Sequence, residues 1–211
     1  MARKPGSRLT WEKMTKKTVH KPIVSPLEPK QEGRKAAPLA AVSGFSNSGK
    51  TTLLEKLIRE MTRRGLRVGT IKHDVHGFEM DRKGKDTWRH KQAGASTTII
   101  SSPRQIGMVK DVDHDHDPLE LAALMPDMDL ILLEGYKSAD IPKIEIFRSA
   151  VSSKLFCTDD PKLMAVITDS THDVGVPCFG HEDISDIADF LIRKLSVVHA
   201  QPEKAPERYL A

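Results

Sequence analysis

The sequence predicts an α/β protein built on a mostly parallel, doubly wound sheet with helices on both faces. Three observations carry that prediction. Runs such as LAAVSG, DLILLEGYK and LMAVIT are apolar without alternation, the mark of strands covered on both sides. Helical patterns separate these runs, so that consecutive strands are joined by crossovers. The first run also ends in a loop of small residues, G-F-S-N-S-G-K-T from Gly44 to Thr51, which opens directly into a helix.

Each element follows from its own pattern. Leu39 to Gly44 reads as the first strand. Leu53, Leu54, Leu57, Ile58 and Met61 recur at helical spacing, and RRG at Arg63–Gly65 ends the helix. RVGTIKH, from Arg67, is a second strand, followed by the polar loop DVHGFEMDRKGK. DTWRHKQAGA reads as a short helix with Asp86 at its N-cap and Gly94 as its stop. TTIIS and RQIGMVKD are two strands separated by a Ser-Pro turn. In DPLELAALM, Asp117 at the N-cap, Pro118 at the first helical position and Glu120 at the third form a capping box. DLILLEGYK is a buried strand, whereas KIEIFR alternates as a half-exposed one. LMAVIT and VPCF add further strands, and DISDIADFLIRKL closes the pattern with an amphipathic helix.

Composition bounds the rest. The 211 residues suit one medium domain, expected over 38–198, with a basic extension at 1–37 and a short tail at 199–211. A hydrophobic content of 38% and a mean hydropathy of −0.40 describe a soluble chain, and no apolar run approaches the roughly 18 residues of a membrane span. The N-terminus has no apolar signal core. Only two cysteines occur, Cys157 and Cys178, outside any C-x-x-C pattern; they are expected to be ordinary buried thiols in a reducing, cytoplasmic setting. Of 33 basic and 29 acidic residues, 10 and 3 fall within 1–38, so the extension carries +7 and the remainder −3. The basicity therefore belongs to the extension, and the domain itself gives no reason to expect nucleic acid.

G-x-x-x-x-G-K-[ST] between a strand and a helix is the phosphate-binding loop of P-loop nucleoside triphosphatases. Gly44 and Gly49 let successive backbone N–H groups turn inward as an anion nest, and the helix start adds unpaired N–H groups and a positive dipole end. Lys50 supplies a charge for the β- and γ-phosphates, and the Thr51 hydroxyl can ligate Mg²⁺. Ser46, Asn47, Ser48 and Thr52 complete the candidate phosphate-binding set. A metal site also needs a carboxylate. Asp129 opens DLILLEGYK and Glu134 closes it, about 16 Å away at the rise of a strand. Ligands in such sheets lie beyond the carboxyl ends of the strands, which selects Glu134 and leaves Asp129 as a polar strand start. Asp74, just past the second strand, could reach the same metal through water or be a plain loop carboxylate.

Three other clusters invite chemistry. The loop IKHDVHGFEMDRKGKDTW leaves a strand at its carboxyl end; Lys72, His73, Lys85 and Asp86, with Lys137 of GYK, are candidates for holding a second phosphorylated ligand, the alternative being a mobile surface loop. Asp169 in ITDS, as a buried carboxylate, could accept from N1–H and the exocyclic amine of guanine, or simply sit in a strand-ending turn. DVDHDHD mixes His and Asp as metal sites do, with His114 and His116 sharing one face if the run is extended, but it reads first as a solvated acidic loop.

With these residues placed, the chain resembles the molybdopterin-guanine dinucleotide biosynthesis protein B family. The resemblance rests on GFSNSGKTTLLEKLI, VGTIKHDVHGFEMDRKGKDTWRHKQAGA and DLILLEGYK, in that order, and spans roughly residues 38 to 196. The phosphate loop alone is shared by very many proteins; TIKH…GKD…AGA and LLEGYK are far more specific. The resemblance implies a homodimeric, weak GTPase with GTP and Mg²⁺ as ligands, assisting the guanylyltransferase that attaches GMP to molybdopterin. The basic extension and the DVDHDHD loop have no counterpart in that description. Competing expectations are a nickel-type metallochaperone GTPase, a tethering ATPase and a small-molecule kinase. The first would want a Cys/His metal pair. The second would want an extra Lys where Phe45 and Ser46 stand.

The extension's scattered prolines and lack of an apolar period give it little to bury. Deleting residues 1–36 is therefore expected to leave the melting temperature and nucleotide affinity nearly unchanged. A large fall in melting temperature would show that it packs on the domain.

Overall fold

The structure, a computed structural model, describes residues 36–198. The expected basic extension, apart from its last two residues, and the expected C-terminal tail lie outside the described residues. The elements follow in chain order: β1 (Leu39–Ser43), α1 (Lys50–Arg63), β2 (Val68–Lys72), α2 (Asp86–Gln92), β3 (Thr97–Ser101), β4 (Ile106–Lys110), α3 (Pro118–Ala122), β5 (Leu130–Glu134), β6 (Lys143–Ile146), β7 (Leu163–Ile167), β8 (Cys178–Phe179) and α4 (Ile184–Lys194). Six strands form one sheet in the order β2-β5-β1-β6-β7-β8, and every pairing in it is parallel. β3 and β4 stand apart as an antiparallel hairpin.

The apolar runs explain the centre of the sheet. β1 and β7 are buried at all five positions. Residues on opposite faces of the sheet pack into separate cores. Ala40, Val42, Leu130, Leu132, Ile144, Ile146, Ala165 and Ile167 pack under Leu53, Leu57 and Met61 of α1 and Ile187 and Leu191 of α4. On the other face Leu39, Ala41, Ile71, Ile131 and Leu133 pack with Ile141 and, from the α3 region, Leu121, Ala122 and Met125. Arg64, just past α1, ties the two helices of the first face together by bonding both Glu60 and Asp189. Arg63 and Arg64 together hold the Glu60 carboxyl down at about 2. Among the described residues no helix is long and apolar enough to cross a membrane.

Local signals at helix ends hold with one adjustment. Asp117 accepts from the Leu119 N–H and Glu120 reaches back to the Asp117 N–H, the expected capping box. In α2, however, Lys85 rather than Asp86 occupies the N-cap, with an extended backbone. Asp86 is the first helical residue, where its charge still favours the positive dipole end. Gly94 follows the helix with φ +105°.

β6 departs from expectation. Its alternation suggested a half-exposed strand, yet all four residues are buried, Lys143 at 1% exposure and Glu145 at 0%. The strand lies between β1 and β7. Its polar face is covered by loops that supply partners instead of water. Lys143 Nζ donates to the carbonyls of Lys137 and Ala139, each at 3.0 Å, and to the Asp160 carboxylate. Glu145 accepts the backbone N–H groups of Phe156 at 2.6 Å and Cys157 at 2.7 Å. A buried charge survives only with such compensation. The cysteine expectation also divides. Cys157 is buried beside Glu145, and burial pushes its thiol up to about 11, whereas Cys178 on the edge strand β8 is exposed.

Replacing Glu145 by Leu keeps the bulk and strands two buried N–H groups, which should cost about 3 kcal/mol in urea unfolding. A loss below about 1 kcal/mol would show that the covering loop rearranges freely.

Candidate functional site

The phosphate loop forms where β1 meets α1. Gly44 has φ +139°, and a Cβ there would stand 2.4 Å from the Ile146 carbonyl oxygen; only glycine lets β1 turn this close to β6. Asn47 and Gly49 also take positive φ, at 63° and 99°. Gly49 precedes α1 and makes no side-chain cap, so the helix start faces the loop with its N–H groups uncapped by a side chain. Lys50 Nζ folds back over the loop and donates to the carbonyls of Gly44 at 3.0 Å and Phe45 at 2.7 Å. Burial lowers the pKa of this ammonium; Glu134 opposes that shift, while the nearby Lys137 and Lys72 add to it. Three lysines thus converge on one small region, an arrangement suited to polyphosphate. The Ser48 hydroxyl, within the loop, is buried without a hydrogen-bond partner among the described residues. A ligand oxygen would satisfy it.

Glu134 stands where strand polarity placed it. It ends β5, level with Val42 of β1 and Lys72 of β2, and the Thr51 hydroxyl donates to its carboxylate at 3.0 and 3.1 Å. Two oxygens about 3 Å apart match neighbouring corners of an octahedral Mg²⁺ shell with bonds of about 2.1 Å, so the donor set fits that ion. Asp129, at the opposite end of β5, is buried, accepts the Arg67 backbone N–H at 2.8 Å and pairs with its guanidinium; its work is structural. Asp74 accepts the His76 N–H in a local turn, using one carboxylate oxygen.

The polar loop after β2 divides. His73 donates its backbone N–H to the Glu134 carbonyl, stacks on Tyr136 with ring centroids 4.5 Å apart, and places Nε2 2.9 Å from Asp115. Gly135, at φ +96°, makes room for this approach, since a Cβ would lie 3.3 Å from the His73 Cβ. Lys137 rests over the Phe156 ring at 4.7 Å, and Phe156 meets Phe45 of the phosphate loop edge to face. Lys85 and Asp86 instead begin α2, Lys85 donating its backbone N–H to the Arg82 carbonyl at 3.0 Å, and no hydrogen bond joins either to the phosphate loop among the described residues.

Asp169 is exposed rather than buried. β7 ends at Ile167, Thr168 is the last buried position, and the carboxylate accepts both the backbone N–H and the hydroxyl of Ser149, at 2.9 and 3.2 Å. These bonds hold its carboxyl below the usual range, the backbone N–H first. The neighbour of Ser149 was missed from sequence. Arg148 donates to the Ser48 carbonyl at 3.1 Å and lines, with Gly49, Thr52, Lys56 and His181, a small cleft beside the start of α1. The rule that selected Glu134 would have found it, because Arg148 lies two residues past the carboxyl end of β6.

The chain is similar in sequence and fold to known proteins. Residues 39–169 match the sequence family described as molybdopterin guanine dinucleotide synthesis protein B. The molybdopterin-guanine dinucleotide biosynthesis adapter protein of Haemophilus influenzae is 36% identical over 77% of this chain and 92% of its own. The Escherichia coli protein of the same name is 35% identical over 76% and 94%. The crystal structure of Bacillus subtilis MobB superposes with a TM-score of 0.59 at 28% identity, covering 75% of this chain and 98% of that one. With a family match across residues 39–169 and relatives more than a third identical over most of its length, the chain belongs to the molybdopterin guanine dinucleotide synthesis protein B family.

Proposed function

We propose that the protein binds GTP with Mg²⁺ and serves as an adapter in molybdopterin guanine dinucleotide synthesis, assisting a guanylyltransferase and hydrolysing GTP slowly. The observation that carries the reading is the Thr51–Glu134 pair at the mouth of a phosphate loop, in a chain of this family. Gly44 to Thr52 would wrap the phosphates with backbone N–H groups. Lys50 would exchange its two loop carbonyls for phosphate oxygens, regaining charge partners that burial now denies it. Thr51 and Glu134 would hold Mg²⁺, which when bound neutralises charge between the phosphates; Asp74 would reach it through water. Arg148 sits where a further phosphate oxygen could be met. Lys72, His73 and Lys137 border the same region and suit a second phosphorylated ligand, molybdopterin, with Lys85 and Asp86 at the far end of that loop. These residues hold phosphate and metal, and binding is the main work proposed for them.

A homodimer fits the hairpin. Ile99, Ile100, Ile106 and Met108 of β3 and β4 are all exposed, an apolar surface that a second copy would cover. Charge argues against nucleic acid as a partner, since the residues beyond position 38 carry net −3.

The phosphate site can be tested by substitution. Lys50→Ala should abolish nucleotide binding without lowering stability, and affinity retained within twofold would refute the assignment. Glu134→Gln should weaken binding in Mg²⁺ far more than in EDTA. Asp129→Asn should lower stability and leave the Mg²⁺ dependence alone; if the two behave alike, the polarity argument fails.

Base choice separates this reading from an ATPase. The Asp169 carboxylate, ionised and already ordered by Ser149, retains lone pairs for the two donors of guanine, whereas adenine offers N1 as an acceptor. Water around an exposed carboxylate softens the penalty, so GTP should bind about tenfold more tightly than ATP, about 1.4 kcal/mol. Asp169→Asn should shrink that gap while sparing triphosphate binding. Competition titrations showing equal affinity for GTP and ATP in the parent would overturn it.

A further inference from the structure

The segment DVDHDHDPLEL, between β4 and α3, folds in a way that its composition does not suggest. The rings of His114 and His116 lie with centroids 4.1 Å apart, and both turn toward Glu120. His116 Nδ1 is 2.9 Å and His114 Nε2 3.8 Å from the same Glu120 oxygen. One ligand atom from each of the three residues falls within 4.8 Å of the others. Tetrahedral Zn²⁺ with bonds of about 2.0–2.1 Å holds its ligand atoms about 3.3 Å apart, a spacing that the two measured distances bracket. The geometry points to a divalent transition-metal site formed by His114, His116 and Glu120, outside the phosphate site and independent of the function proposed above.

The surroundings supply what an isolated cluster lacks. His114 Nδ1 lies 2.7 Å from Asp113 Oδ1. With Asp113 accepting a hydrogen bond from Nδ1–H, Nε2 keeps its lone pair on the side of Glu120, as outer carboxylates arrange for metal-bound imidazoles. Glu120 is fixed as the third residue of the α3 capping box, where its Oε2 also accepts the Asp117 N–H. The backbone of His116 is held by Tyr136, whose hydroxyl donates to its carbonyl at 3.3 Å. Asp115 points elsewhere, to His73, so three protein ligands remain and a fourth position is left for water. Two imidazoles and one carboxylate favour zinc, copper or nickel over magnesium or calcium. Because His114 and Glu120 are both more than half exposed, binding in the micromolar range is expected rather than the permanent occupancy of a closed structural site. A bound ion would pin the acidic loop to α3 and, through Tyr136, to the turn that follows Glu134.

Zinc titration of the full chain against a chromophoric chelator tests this, with Co²⁺ absorption as a second readout of imidazole ligation. The parent should take up one Zn²⁺ lost on His114→Gln or His116→Gln, each lowering affinity at least tenfold. Glu120→Gln should also weaken binding, and because glutamine serves equally in a capping box α3 should keep its stability. His76→Gln, on an exposed loop, is the control and should change nothing. If the three ligand variants bind zinc as the parent does, or if the parent shows no binding below about 100 μM, the site is refuted.

Discussion

Because β1 pairs in parallel with β5 on one side and β6 on the other, the chain has to leave and re-enter the sheet through crossovers, and all the strands of that sheet end at one edge. That constraint depends on burial. Ala40 and Val42 face α1 and α4, and Leu39 and Ala41 face the α3 side, so apolar side chains cover both faces of β1. Small residues in β1 let the neighbouring backbones close in, and the chain then turns at Gly44 against the Ile146 carbonyl. The phosphate loop is therefore set by the packing of the central strand, and Glu134, Lys72 and Arg148 reach it because their strands end at the same edge.

Charge follows the same logic in two different ways. Buried on the polar face of β6, Lys143 and Glu145 are saturated: each polar atom has a backbone or carboxylate partner, which orders the loops from Lys137 to Asp160. At the phosphate loop the balance is left open. Lys50 is desolvated and crowded by Lys72 and Lys137, and the Ser48 hydroxyl has no partner among the described residues. Saturated groups hold a fold, whereas a desolvated ammonium held only by carbonyls, beside a hydroxyl without a partner, suits an anionic ligand.

The loops beside the site are joined by contacts between segments far apart in sequence. His73, Tyr136 and Asp115 come from three such segments and meet beyond the end of β5, while Phe45, Phe156 and Lys137 meet on the other side of the phosphate loop. Any ordering of the acidic loop is thereby felt next to Glu134.

By itself the sequence determined the parallel sheet, the phosphate loop, the α3 capping box and the placing of Glu134 and Asp129 at opposite ends of β5. Each rests on short-range geometry: unalternating apolar runs, glycines at fixed spacing, and the direction of a strand. The tertiary structure decided the rest. KIEI reads as half exposed because alternation records polarity, and polarity cannot tell water from a covering loop that offers its own N–H and C=O groups. Asp169 looked like a buried strand end, but β7 stops two residues earlier and leaves it exposed beside Ser149. Arg148 comes to Ser48 across a separation of 100 residues, and His114 turns toward Glu120 only because α3 begins at Pro118. Spacing along a chain fixes what neighbours in sequence can do together; proximity between distant segments is created by the crossovers and the cores that close them.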